Sequence, residues 1–410
     1  MAISGQVSQN PNSFRIEAAE GLRSLRLAIA GMIEHLPTPA DRPLELARNL
    51  GIDKSLASKI SRLLSEPGDP LAAATLLPGK AALEAFVRAA RASGANATQE
   101  SAVLEAMSTL DQVASRHAGD RTSFALMLNA CAADAETPAT VALRRSAFRA
   151  NSAMFGVQAK VQYKLVVVGP SRDGVSADMA RVRGFVSLLR LRPDVAWTVS
   201  RSRVVDDAGR PGAEHPCSRP LPIGPDGGER LLLPSFSSAN PPEVVVTPLG
   251  DGTIEEQILP GPVGNEGAFT VLTADFIERV GPLRRTPGDR YAASGLSVHT
   301  PVETLLFDYI VHQDNFDQAE PEFAVYSQLG CPPWPACGES KRLPMHAPVQ
   351  SFGRGVEFAQ SLSVPRFREI ISAVFEDPRW SPGDFLHFRV RVPFPPIPCT
   401  AVMRHDLPST

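Results

Sequence analysis

PLELARNLGIDKSLASKISRLL, residues 43–64, contains two short apolar periods separated by a single glycine. Leu46, Ala47 and Leu50 recur at helical spacing, and so do Leu56, Ala57, Ile60, Leu63 and Leu64. Asp41 is placed to cap the first helix, whose first turn tolerates Pro43 and gains from Glu45 beside its positive end. Gly51 falls where the chain must turn through a left-handed conformation, in which a Cβ is costly. Ile52 is expected to plug the angle between the helices, and Asp53 or Ser55 to cap the second. The outward side of that second helix would carry Lys54, Ser55, Ser58, Lys59 and Arg62.

This run resembles the helix-turn-helix of bacterial transcriptional regulators. The matching places are Ala47 in the first helix, Gly51 in the turn, Ile52 after it and Ile60 in the second helix, with Leu46 and Leu50 in support. Ala57 departs from the pattern, which more often has Val or Ile there. The resemblance covers residues 43–64 only. It implies a second helix lying in the DNA major groove, polar residues of its first turns at base edges, and cations on phosphates. Carried over residue by residue, the DNA-binding set is Arg42, Arg48, Lys54, Ser55, Ser58, Lys59 and Arg62. Glu66-Pro67-Gly68-Asp69-Pro70 leads into alanine-rich sequence, so no β-hairpin wing is expected after Leu64.

Charge supports a local patch rather than a basic protein. The chain has 410 residues and a net charge of −3, which argues against wholesale coating of nucleic acid. Residues 1–150 hold 16 Lys+Arg against 15 Asp+Glu, and the remainder holds 25 against 29. Within 42–62, Arg42, Arg48, Lys54, Lys59 and Arg62 face only Glu45 and Asp53. Two of the chain's six lysines stand on the second helix of the motif.

Proline divides the chain. Only 8 of the 38 prolines fall in residues 1–150, so that part can be mostly helical and the rest cannot. Ile16, Leu22, Leu25, Ile29 and Ile33 predict one further helix; Leu83, Phe86 and Val87 another; Val103, Leu104, Met107 and Leu110 a third; Phe124, Leu126, Met127 and Leu128 a fourth. From residue 157 the texture changes. Val161–Val168 reads as a strand, Ser176–Leu191 as a helix and Val195–Ser202 as a strand, a β–α–β order. Residues 206–230 read as a Pro/Gly-rich connection. Short strands are expected at Glu243–Pro248, Ile254–Leu259 and Ala268–Thr273, with Val302–His312 open between helix and strand. Arg366–Phe375 is expected as helix and Phe385–Val392 as a strand with one buried face, paired to Val402–Leu407 across the Pro393–Pro398 loop. The expectation is an α+β (or mixed α/β) protein: a helix-turn-helix unit over 1–70, a helical extension over 71–156, and a Pro-rich mixed α/β domain over 157–410.

Other constellations argue less. Gly169-x4-Gly174-x-Ser176, between strand and expected helix, is one residue short of a phosphate-binding loop and has Val175 where the lysine would stand; a connecting loop is the preferred reading. Cys331, Cys337 and His346 flank a proline-stiffened segment, but their spacing is poor for zinc. His312-Gln313-Asp314 and His405-Asp406 put imidazole near carboxylate with no catalytic signature around them, and Cys131 reads as core. Five cysteines, an odd number, do not make a secreted disulfide framework. No apolar run is long enough to cross a bilayer, and the N-terminal residues lack a signal peptide's apolar region, so a cytoplasmic location is expected. The sequence thus points to a transcriptional regulator and not an enzyme, without cofactor or metal. Its partners would be duplex DNA, a second copy of the chain and a small-molecule effector at the C-terminal domain. An interaction protein using the helices for protein contacts is the alternative, and an enzyme with an unrecognised C-terminal site the third reading.

Overall fold

The computed structural model describes residues 12–36, 39–65, 70–71, 76–131, 138–202, 218–221, 233–238, 243–249, 254–316, 320–332, 334–357, 359–376 and 379–409. It is an α+β protein of two compact units, Met1–Thr140 and Val141–Thr410.

The first unit is helical: α1 (Ser13–Ile33), α2 (Pro43–Leu50), α3 (Lys54–Ser65), α4 (Lys80–Ala92), α5 (Ala97–His117) and α6 (Arg121–Cys131). The division between units falls within α7 (Pro138–Phe155). The helices share one core, to which α1 gives Leu22, Leu25 and Ile29, α2 Leu46 and Leu50, α3 Ile60, α4 Phe86, α5 Leu110 and α6 Phe124. The core is continuous from Phe14 to Leu128, so the motif is packed into a larger helical body. Gly21 lets α1 and α5 approach closely, since a Cβ there would stand 2.8 Å from Leu110 Cδ2. Of the apolar residues that predicted these helices, Ile16, Leu104 and Leu126 are exposed. Asp41 does not cap α2: Arg42 holds the cap position without a side-chain bond, and its guanidinium pairs with Glu45 of the first turn at 3.2 Å.

The second unit is built on a seven-stranded sheet in the order β11 (Gln350–Arg354), β12 (Phe385–Pro393), β9 (Val302–His312), β1 (Val157–Pro170), β2 (Ser176–Arg190), β7 (Phe269–Pro282) and β4 (Ser218–Pro220). Only β1 and β9 run parallel. One face is covered by α8 (Phe367–Val374), whose Phe367, Ile370, Ile371 and Val374 meet Tyr163, Leu165, Leu306 and Phe385. The other packs on a three-stranded sheet of β10 (Glu322–Ser327), β13 (Cys399–Asp406) and β8 (Tyr291–Val298), with Val166, Phe307 and Val390 against Val325, Ala401 and Met403. A further small sheet joins β3 (Trp197–Ser202), β6 (Ile254–Ile258) and β5 (Val244–Pro248).

Three expectations are corrected here. Ser176–Leu191 is not a helix: residues 176–190 form β2, an antiparallel partner of β1. Both faces of β2 are buried, so its apolar residues lose the period-2 alternation that marks a strand. Gly184 carries the backbone cue, because a Cβ there would lie 2.0 Å from the Val271 carbonyl oxygen of the adjacent strand. Residues 402–406 lie in β13, which pairs with β10 and β8 and not with β12. Finally, the second face of β12 is partly buried: Phe388, Val390 and Val392 lie in one core as expected, Phe385 lies in the other, and Arg391 on that second face is exposed. Val302–His312 is a strand, and the expected connection at 206–230 falls mostly outside the described residues.

Candidate nucleic-acid interface

The two helices of the motif are set by their turn. Gly51 is left-handed at φ 64° and ψ 29°, and the Ile52 N–H donates to the Ala47 carbonyl at 3.1 Å, ending α2. Asp53 then caps α3, its Oδ1 accepting from the Ser55 N–H at 2.7 Å. Hydrogen bonds from Ser55, side chain first and then backbone, hold the Asp53 carboxyl below its ordinary pKa. At the far end, the Arg26 guanidinium of α1 donates to the Leu64 carbonyl at 3.0 Å.

Between these anchors α3 has two distinct sides. Leu56, Ala57, Ile60, Ser61 and Leu63 are buried. Ser55, Lys59 and Arg62, at i, i+4 and i+7, form one exposed stripe, with Lys54 exposed on its flank and Ser58 half-buried within it. Among the described residues, Lys54, Lys59 and Arg62 make no ion pair. Arg42 is exposed beside α2, but its pairing with Glu45 offsets part of its charge. Arg48 is exposed in the last turn of α2. Sequence reasoning missed Ser61, a hydroxyl on the buried side whose polarity hid its place in the helix packing. No strand occurs among the described residues of this unit.

The residue groups noted in the second unit are placed otherwise. Segment 170–176 is a hairpin turn between β1 and β2, not an anion loop before a helix. The Asp173 carboxylate accepts from the Val175 and Ser176 N–H groups at 2.9 and 2.8 Å, and so occupies donors an anion would need. His405 and Asp406, adjacent on a strand, differ in environment: His405 is buried and bonded to Tyr309, while Asp406 is exposed near Arg285. The His312 ring accepts from the Asp314 backbone N–H at 3.2 Å. His346 is exposed, and no three metal-ligating side chains gather among the described residues.

Two buried polar groups were not legible as sites. Asp308 Oδ1 accepts from Arg389 Nε at 2.7 Å and lies 2.6 Å from His387 Nε2, with Phe352 stacked on the imidazole. Asp275 is paired with Arg181 and Arg183, which hold its carboxyl well below the ordinary range against the opposing effect of burial. In both, the buried carboxylate is paired with arginine, as a buried charge requires, but at the first, Asp308 Oδ2 and Arg389 Nη2 have no hydrogen-bond partner among the described residues.

Comparison with known proteins adds no relative: no protein-family model, curated protein or solved structure matches this chain.

Proposed function

We propose that α2, Gly51 and α3 form a DNA-reading helix-turn-helix and that the chain is a sequence-specific transcriptional regulator. The observation that carries the reading is the division of α3 into a packed side and an exposed stripe of Ser55, Lys59 and Arg62. A helix fits the major groove by such a stripe, with hydroxyls near base edges and the cations near phosphates. Arg48 and Arg42 would meet the backbone beside it.

The C-terminal unit is assigned ligand sensing or assembly, and the working location is the cytoplasm. No described helix is long and apolar enough to cross a membrane. One motif copy per chain favours a homodimer, because a single helix-turn-helix reads only about half a site.

Selection of genomic fragments by the full-length protein, followed by gel retardation of those retained, tests the reading. The protein should shift its selected duplexes, and Lys59→Ala with Arg62→Ala should weaken that shift at least tenfold while leaving the helical circular dichroism unchanged. A native protein that shifts no duplex at low salt refutes it.

A further inference from the structure

The helix α7 is long and has little to hold it. None of its described side chains belongs to a hydrophobic core, and only Ser152 among them is buried. One side is partly covered. It carries Val141, Arg144, Phe148 and Ser152, at i, i+3, i+7 and i+11, with the Phe148 ring 5.4 Å from that of Phe394. The Arg145 guanidinium lies over the same Phe394 ring at 4.9 Å.

A different side of α7 is apolar and faces solvent. Leu143, Ala147, Ala150 and Met154 recur at intervals of four, three and four residues, and all four are exposed, Leu143 by 51% and Met154 by 63%. A helix of this length draws most of its stability from packing an apolar face. The four–three–four interval is the one by which a helix seats along another helix.

Two features match the stripe to a second copy of itself. The first is size, which runs large, small, small, large. In an antiparallel pair centred between Phe148 and Arg149, Ala147 meets Ala150 of the other copy, and Leu143 meets Met154 at both ends. Small residues at the centre let two helices approach closely, and larger ones fill the space where crossing helices diverge. The second feature is charge. In that pairing Arg144 stands opposite Ala153, Arg145 opposite Ser152 and Arg149 opposite Phe148, so no like charges meet. A parallel pair would set every arginine against its own copy.

We propose that α7 is the dimer contact of this protein, two copies packing antiparallel along Leu143, Ala147, Ala150 and Met154 about a two-fold axis. Such a contact is self-complementary, as a closed two-fold dimer requires. The proposal rests on the homodimer reading above and gives it a surface; it does not require DNA.

The test is sedimentation equilibrium of the full-length protein, without DNA, at micromolar concentration. The native chain should dimerise. Leu143→Glu and Met154→Lys, each at an exposed position, should each raise the dimer dissociation constant at least tenfold with helical circular dichroism unchanged. The double variant should regain most of the loss, because each new Glu then meets a new Lys of the other copy. A native dimer indifferent to both single changes overturns the proposal, and so does a double variant no tighter than the singles, which is the result a parallel pair gives. A monomeric native chain overturns it as well. If that monomer still shifts its selected duplexes, the DNA reading stands while the α7 contact falls.

Discussion

The Arg26 guanidinium of α1 donates to the Leu64 carbonyl of α3 at 3.0 Å, joining the first helix to the last turn of the helix assigned to DNA. Late carbonyls of a helix have no partner within it, and a cation there also complements the helix dipole. Arg26→Ala should destabilise the first unit by about 1 kcal/mol, and Arg26→Lys by less. Urea unfolding followed by helical circular dichroism measures this; an unchanged midpoint would remove the anchor from the account.

Gly51 tests the turn separately. A Cβ built there meets nothing within 4 Å, so a substitution is penalised by backbone conformation alone. Gly51→Ala should cost about 1 kcal/mol, and Gly51→Asn less, because asparagine tolerates the left-handed region. Equal stability of all three proteins would mean that α2 ends in some other way.

His405 makes the second unit sensitive to acid. Its Nε2 lies 2.9 Å from the Asn315 carbonyl, which can only accept, so that nitrogen carries the proton and Nδ1 accepts from the Tyr309 hydroxyl at 2.9 Å. Burial lowers its pKa from 6.5 to about 4. A depressed folded-state pKa contributes stability that is present above the unfolded value and lost as pH falls towards the folded one. The unit should therefore lose on the order of 3 kcal/mol between pH 7 and pH 4. Burial pushes His312 in the same direction, whereas Asp275 adds its loss only below the ordinary carboxylate range. Urea midpoints across this window should fall, and fall much less in His405→Gln. A flat profile for the native chain would contradict the assignment.

Assembly follows from the single motif. The full-length protein should be a dimer by light scattering at micromolar concentration and should bind two half-sites about 34 Å, or a multiple of that, apart. A chain that stays monomeric alone and on duplex DNA would count against the dimer and weaken the regulator reading built on it.

Much of the helical unit could be read from sequence because each helix has one buried side. Leu46, Ala47 and Leu50 predicted α2, and Leu56, Ala57, Ile60 and Leu63 predicted α3, because 3.6-residue spacing survives wherever one face stays wet. The sheet was less legible for the opposite reason. On β2, Ala180 and Val182 meet one core while Ala177 and Met179 meet the other, which erases the alternation. The pairing of β13 with β8 and β10 was hidden because it depends on residues distant in sequence. The exposed stripe on α3 was readable in its positions, but the pairing of Arg42 with Glu45 required the fold.

A salt titration of DNA affinity tests the central claim most directly. Fluorescence anisotropy of a selected duplex, measured with full-length protein between low and moderate salt, reports how many phosphates are neutralised. If Lys54, Lys59, Arg62 and Arg48 each meet one phosphate, log K should fall against log salt concentration with a slope near −4 per bound unit, and Lys59→Ala should reduce it by about one. Affinity indifferent to salt, or a slope unchanged when Lys59 is removed, would contradict the placement of α3 on DNA.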